Sequence, residues 1–418
     1  MSYWEASGSG KFQEDVTHLI SPLGRICVCV IVISVLIARN PDALLKATFW
    51  AEDGAVFFLQ SHLHGLPSIF IPYAGYHHLS LRLLSQCFTQ FPLDWLPYVY
   101  SASSIALAGV LAAIWTGPRV PLTRAQKLIF AFSIPLIPHT GEVFYNIANL
   151  QWLLASALLY FLVVCPVSTT AKAVSVLIAF VLGLTGVYSI LFLPLFALNY
   201  LQNRQKYYLA LGLAVGVSAC VQAITIARFS MSTPPEAWTD FSVLVLPWRL
   251  LWPLIPIAGS NDPEYTTAKG LLTAFALLLL AFLVVRRRNN MLPVYLFAAA
   301  LILTSATLFR FRHSLSALAV PIDGDRYFWL PRLLIVWSIA TILPFRTRIS
   351  RSIALLAAVS AIVPGFSFRS QPHKEWRVYA KKIKRGEEVN VPINPDGSQF
   401  RVPALQGTKI PPVGSKTN

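Results

Sequence analysis

Trp50-Ala51-Glu52-Asp53-Gly54-Ala55-Val56-Phe57-Phe58 sets two adjacent carboxylates just beyond the first long apolar run of the chain, Ile26–Ala38. Phe49 and Trp50 before them are aromatic residues of the kind that settle at a membrane–water boundary, so the acids fall at that level. Gly54 lets the backbone turn sharply after them. An ionisable pair at membrane depth is costly to desolvate unless it is used or paired, which makes Glu52 and Asp53 candidates for function. A solvated loop that happens to be acidic is the equally simple alternative. The side of a membrane that these acids face organises the rest of the chain.

Composition decides the class. Of 418 residues, 55% are hydrophobic and only 12% charged, with a mean hydropathy of +0.59; no soluble domain of that length hides so much apolar surface. The expected fold is an all-α polytopic membrane protein. A net charge of +16 would suggest nucleic acid in a soluble protein. Here it fits cytoplasmic loops facing anionic lipid and a basic tail, so nucleic acid is discounted as a partner and membrane lipid is expected. Cys27, Cys29, Cys165 and Cys220 lie in apolar runs and Cys87 has no evident partner, so no disulfide framework is implied.

Residues 1–21 form a polar, cytoplasmic arm. No small-residue cleavage site follows the first apolar run, since Ala38-Arg39-Asn40-Pro41 is a poor one, and the run is expected to stay as an anchor. Residues 22–366 then contain about ten or eleven spans, centred near Val30, Leu107, Ser133, Leu158, Phe180, Phe196, Leu213, Leu277, Leu301, Trp337 and Ala358. Basic clusters alternate between them: Arg119, Arg124 and Lys127; Lys172; Arg204 and Lys206; Arg286–Arg288; then Arg346, Arg348 and Arg351. The excess of positive charge on cytoplasmic loops puts all of these inside. Every Asp or Glu after Asp15 then falls outside, together with the long first loop 40–97 and the tail 367–418.

Several outer residues have binding chemistry. His77 and His78 stand between two short amphipathic pieces, Ala55–Leu63 and Leu79–Phe88; adjacent histidines diverge on a helix, so sugar contact suits them better than metal ligation. A helix beginning near Glu142 would put Glu142, Asn146 and Asn149 on one face, with Gln151 and Trp152 close by. Carboxylate, amides and indole are what a pocket uses on a sugar ring; a polar helix end satisfying its own amides is the plainer option. Asp323-Gly324-Asp325 is a weak echo of a metal motif. Arg326 and Arg332 carry forked donors suited to phosphate, or to lipid headgroups. The tail reads as a basic helix with the pair Lys381-Lys382, followed by a strand and a turn.

A multispan chain with an acidic pair in its first outer loop resembles the GT-C superfamily of polyprenyl-phosphate-sugar-dependent glycosyltransferases. The long first loop and the tail Trp376–Gly397, with Lys381-Lys382 and Pro392-Ile393-Asn394-Pro395, resemble more narrowly the phage-type serotype-converting glucosyltransferases that decorate O-antigen. The resemblance implies a GT-C-like helical domain in a bacterial inner membrane, with its site facing the periplasm. It implies transfer of a hexose, with glucose expected, from a polyprenyl-phosphate sugar to a lipid-linked O-antigen or related glycan by an inverting route. Asp53 would be the base, with Glu52 the near-equivalent choice. Arg326, Arg332, Lys381 and Lys382 would hold the donor phosphate, and Glu142, Asn146, Asn149, His77 and His78 would hold sugar or acceptor. Some members use a divalent cation, Mg or Mn, and others none. A flippase and a polyprenyl-phosphate-sugar synthase are the companions such an enzyme needs. A lipid-linked saccharide flippase and an O-antigen polymerase are the alternatives. Cysteine labelling checks the topology: positions in Arg286–Arg288 and Arg346–Arg351 should be reached only from the cytoplasm, and positions near Asp53 and Asp396 only from outside.

Overall fold

In a bilayer the backbone must satisfy its own hydrogen bonds, so long apolar runs are forced into helices. The structure, a computed structural model, describes residues 20–139, 142–229, 249–250, 263–286, 290–312, 324–342 and 374–404. Its longer helices are α1 Pro22–Arg39, α2 Leu79–Phe88, α3 Leu96–Trp115, α4 Arg124–Leu136, α5 Leu150–Val163, α6 Thr169–Gly183, α7 Tyr188–Asn203, α8 Lys206–Phe229, α9 Pro263–Arg286, α10 Met291–Arg310, α11 Arg326–Ile342 and α12 Trp376–Lys384. Every expected span centre from Val30 to Trp337 falls within one of them; Ala358 lies outside the described residues.

The expected count of full crossings is higher than the helices support. Four described helical stretches are long and apolar enough to cross: Pro22–Arg39, Leu93–Trp115, Lys206–Phe229 and Met291–Arg310. Others are shorter, such as Leu150–Val163 and Thr169–Gly183. A helix of about 14 residues rises about 21 Å, against a hydrocarbon core of about 30 Å. Pro135, Pro194 and Pro331 sit inside α4, α7 and α11, and each removes a helical hydrogen bond. The chain is therefore a mostly helical membrane protein, part of whose bundle is built from short helices.

Local sequence sets the ends and crossings. Ser21 caps α1 by accepting from the Gly24 N–H at 3.1 Å, and Thr123 with Gln126 forms a reciprocal capping box on α4. The Gln126 amide also donates to the Ala340 carbonyl of α11 at 2.9 Å. Trp337 of α11 donates to Ser133 Oγ at 2.8 Å and stacks on Phe130 with centroids 4.5 Å apart. Where α1 crosses α3, a Cβ on Gly109 would stand 2.7 Å from Ile33 Cγ1, so only glycine allows the approach.

The first long loop is helical in pieces: a π-helical turn Asp53–Phe58 running into Leu59–His64, a 3-10 turn Leu66–Phe70, α2, and a 3-10 turn Leu93–Trp95 that leads into α3. The tail forms α12 and a hairpin of β1 Val389–Ile393 with β2 Ser398–Val402, antiparallel with Val391 opposite Phe400. The tail docks directly on the acidic stretch. The Asn394 N–H donates to the Phe49 carbonyl at 2.9 Å, and Trp376 meets the rings of Phe49 and Phe58 at 4.9 and 5.7 Å. Phe400 lies against Gly54, where a Cβ would stand 2.7 Å from its ring. Tail and acidic stretch therefore share one side of the membrane.

This contact yields a measurable coupling. Gly54→Ala should cost about 1–3 kcal/mol by overpacking. In a thermal-unfolding cycle with Phe400→Ala, the double variant should lose less than the sum of the two singles, because the clash goes with the ring.

Candidate functional site

Asp53 and Glu52 are neighbours with opposite surroundings. Asp53 is 1% exposed, and its two oxygens accept the backbone N–H groups of Ile147 at 3.0 Å and Ala148 at 2.8 Å. Burial is the largest influence on its carboxyl and pushes it up to about 8, with those two donors pulling the other way and the Glu52 charge adding to the rise. Glu52 is half-buried, and its Oε2, closed off from solvent, makes no hydrogen bond among the described residues.

The donors to Asp53 come from a segment that is not the helix expected from the sequence. Residues 142–149 form a chain of bends, and the helix starts only at Leu150. Tyr145 holds a left-handed φ of +70°, secured because its hydroxyl donates to the Leu36 carbonyl at 2.8 Å and its own carbonyl accepts from Ser101 at 2.9 Å. Asn146 and Asn149 are spent on this turn. Both amides donate to the Glu142 carbonyl at 2.7 Å, and Asn146 Oδ1 accepts the Asn149 N–H at 2.9 Å. The pair shapes the segment and leaves the Glu142 side chain to face Arg326, 3.7 Å away.

Charges converge on Tyr73. Burial raises its hydroxyl above the usual tyrosine range, the Glu52 charge adds to that, and Arg326 and Arg82 oppose it. Tyr327 also acts on it and meets Trp152 at 5.2 Å, which in turn meets Tyr188 at 5.7 Å. The result is an acid–arginine group, Glu52, Glu142 and Arg326, bordered by aromatic rings at the end of the bundle. Such a surface suits a sugar ring next to an anion.

Arg82 was not expected from the sequence. It is 0% exposed, and none of its three guanidinium nitrogens makes a hydrogen bond among the described residues. Its charge lies 5.0 Å over the Phe57 ring, and burial pulls it down to about 10. A signal was available: Arg82 is the one cation in the apolar run Leu79-Ser80-Leu81-Arg82-Leu83-Leu84. Beside it, burial first and the Arg82 charge second hold His78 down to about 3, so His78 is neutral. His77 is fixed through its backbone, which exchanges bonds of 2.8 and 3.0 Å with the Gln222 side chain.

The remaining candidates lie elsewhere. Arg332 is 1% exposed and fully engaged: it donates to Asp325 at 2.7 Å, to the Arg249 carbonyl at 2.9 and 3.0 Å and to the Pro138 carbonyl at 3.1 Å. It braces α11 against the end of α4. Lys381 and Lys382 stand on the exposed face of α12, opposite the face that packs on Phe49 and Phe58. Asp323 lies outside the described residues. Among the described residues no three His, Cys, Asp or Glu side chains are placed to hold a metal ion. The Arg326 guanidinium already faces Glu142 at 3.7 Å and feels the Glu52 charge, and a cation beside these acids would meet its repulsion, so this group does not fit one.

No protein-family model, curated protein or solved structure matches the chain.

The Asp53 clamp has a pH signature. Because its folded carboxyl titrates near 8 and an unfolded one near about 4, the folded state favours the protonated form. That contribution is complete below about pH 4 and is lost as pH rises through 8. Asp53→Asn should flatten the fall in unfolding temperature across this window. It should also cost about 1–3 kcal/mol overall, since its amide sets a donor against a backbone N–H.

Proposed function

We propose that the chain is a glycosyltransferase of the bacterial inner membrane. It moves a hexose from a polyprenyl-phosphate sugar to a lipid-linked surface glycan on the periplasmic side. One observation carries this reading: Glu52, with an enclosed oxygen that makes no hydrogen bond among the described residues, lies near enough to Arg326 for their charges to act on each other, in a group bordered by aromatic rings. Outside the cytoplasm no nucleotide sugar is at hand, so the activated sugar has to arrive on a lipid phosphate.

Glu52 is the base in this reading, and Asp53 positions it. As the acceptor hydroxyl oxygen bonds to the sugar C1, its proton passes to the Glu52 carboxylate and the bond from C1 to the phosphate oxygen breaks. The pair of electrons leaves with polyprenyl phosphate. Arg326, with Arg82 behind Tyr73, offsets the charge growing on that oxygen. Trp152 and Tyr327 supply apolar faces for the sugar. Inversion at C1 follows from a single displacement.

The purified chain, given a polyprenyl-phosphate hexose, should release polyprenyl phosphate only when a lipid-linked oligosaccharide acceptor is added. A flippase would move the donor across a vesicle without releasing it. Glu52→Gln should lower kcat by about a hundredfold to ten-thousandfold while the protein stays folded and inserted. Near-normal turnover in Glu52→Gln would overturn the assignment of the base.

A further inference from the structure

The 3-10 turn Leu93–Trp95 opens a membrane span, so what binds that turn sits at the surface of the bilayer. Helix α12 binds it three times. Trp376 Nε1 donates to the Leu93 carbonyl at 2.8 Å, Lys384 Nζ pairs with Asp94 at 2.5 Å, and the Arg377 guanidinium lies 5.7 Å over the Trp95 ring. The helix is thereby laid along the membrane level. Trp376, Ala380 and Ile383 fill its inner face, and the outer face presents Arg377, Val378, Lys381, Lys382 and Arg385, all exposed.

Charge and apolarity on that face match a lipid surface. Lys381 and Lys382 make no ion pair among the described residues; Asp94 is held by Lys384, and Glu387, whose N–H donates to the Lys382 carbonyl at 3.2 Å, faces Arg385 at 3.5 Å. Large apolar side chains stand uncovered beside the cations: Trp95, under the Arg377 guanidinium, is 52% exposed, and Val378 on the same helix 46%. Indole and phenyl rings settle among headgroups, and lysines beside them reach anionic ones. We propose that the outer face of α12 docks on anionic phospholipid headgroups, with Lys381 and Lys382 as its principal cations. The inner face of the same helix packs on Phe49 and Phe58, so lipid bound outside steadies the turn that carries Glu52. The docking stands independently of sugar transfer.

Each cation near an anionic surface strengthens association by about fivefold. The full chain in neutral detergent is titrated with phosphatidylglycerol, with phosphatidylcholine and with inorganic phosphate, and bound lipid is read by native mass spectrometry. Phosphatidylglycerol should bind more tightly than phosphatidylcholine. The Lys381→Gln, Lys382→Gln double variant should weaken phosphatidylglycerol by about 25-fold and leave phosphatidylcholine unchanged, while the double Arg variant stays within about twofold of wild type. Both positions are exposed, so the variants fold. Equal affinity for the two lipids, or wild-type binding by the Gln variant, overturns the proposal. So does loss in the Arg variant, or displacement of the lipid by inorganic phosphate, since either assigns the lysines to a shaped site for a soluble phosphate.

Discussion

Two backbone N–H groups aimed at one buried carboxylate tie the first long loop to the segment before α5. Asp53 belongs to the first loop, and Ile147 and Ala148 belong to the bend before α5, more than ninety positions away. Without Asp53 both donors would be buried and unsatisfied, at about 1–3 kcal/mol each. The bond therefore dictates where the Glu142–Asn149 bend lies and, through Glu142, which charge meets Arg326. Aromatic packing between the tail and Phe49 and Phe58 closes the other side of the same turn.

Buried arginines follow two different rules here. Arg332 has every guanidinium nitrogen answered by Asp325 or by backbone carbonyls, which is how a buried charge becomes a fixed brace. Arg82 has only the face of Phe57. A desolvated cation–π contact returns about 2 kcal/mol, less than the several kcal/mol that burying an ion costs. A cation left in deficit beside Tyr73 has more to gain from an incoming anion than a satisfied one. For that reason Arg82, and not Arg332, is the buried arginine that the proposed transfer sets with Arg326 at the leaving phosphate.

Much of the fold was legible because apolar runs in a membrane have one backbone solution; the centres from Val30 to Trp337 all proved helical. Span length was less legible, since an apolar run does not report where the helix within it begins and ends, as with Leu150–Val163 and Thr169–Gly183. The site was half legible. Glu52, Asp53, Glu142 and Arg326 could be picked out as polar residues at membrane level. The duties of Asn146 and Asn149 could not, because a helical period assigns them a shared outward face, while the left-handed Tyr145 turns them onto the Glu142 carbonyl. Arg82 was hidden by the same logic in reverse: within an amphipathic helix a single arginine reads as its wet side.

The choice between Glu52 and Asp53 turns on geometry that no spacing rule contains. On an ordinary helix adjacent residues diverge by about 100°, so one of two neighbouring acids points inward and the other stays near the surface. The wide π-helical turn beginning at Asp53 is a form that occurs mostly as single turns at functional positions. Its first residue is directed at the 147–148 amides, and the preceding Glu52 is left toward Tyr73 and Arg326. A base must exchange its proton with an incoming hydroxyl, and a carboxylate with both oxygens bound to backbone cannot do so without breaking the clamp. Asp53 is thus better suited to holding the turn than to chemistry. Glu52, which shares the turn and keeps an unbound oxygen, can exchange a proton while the clamp remains closed.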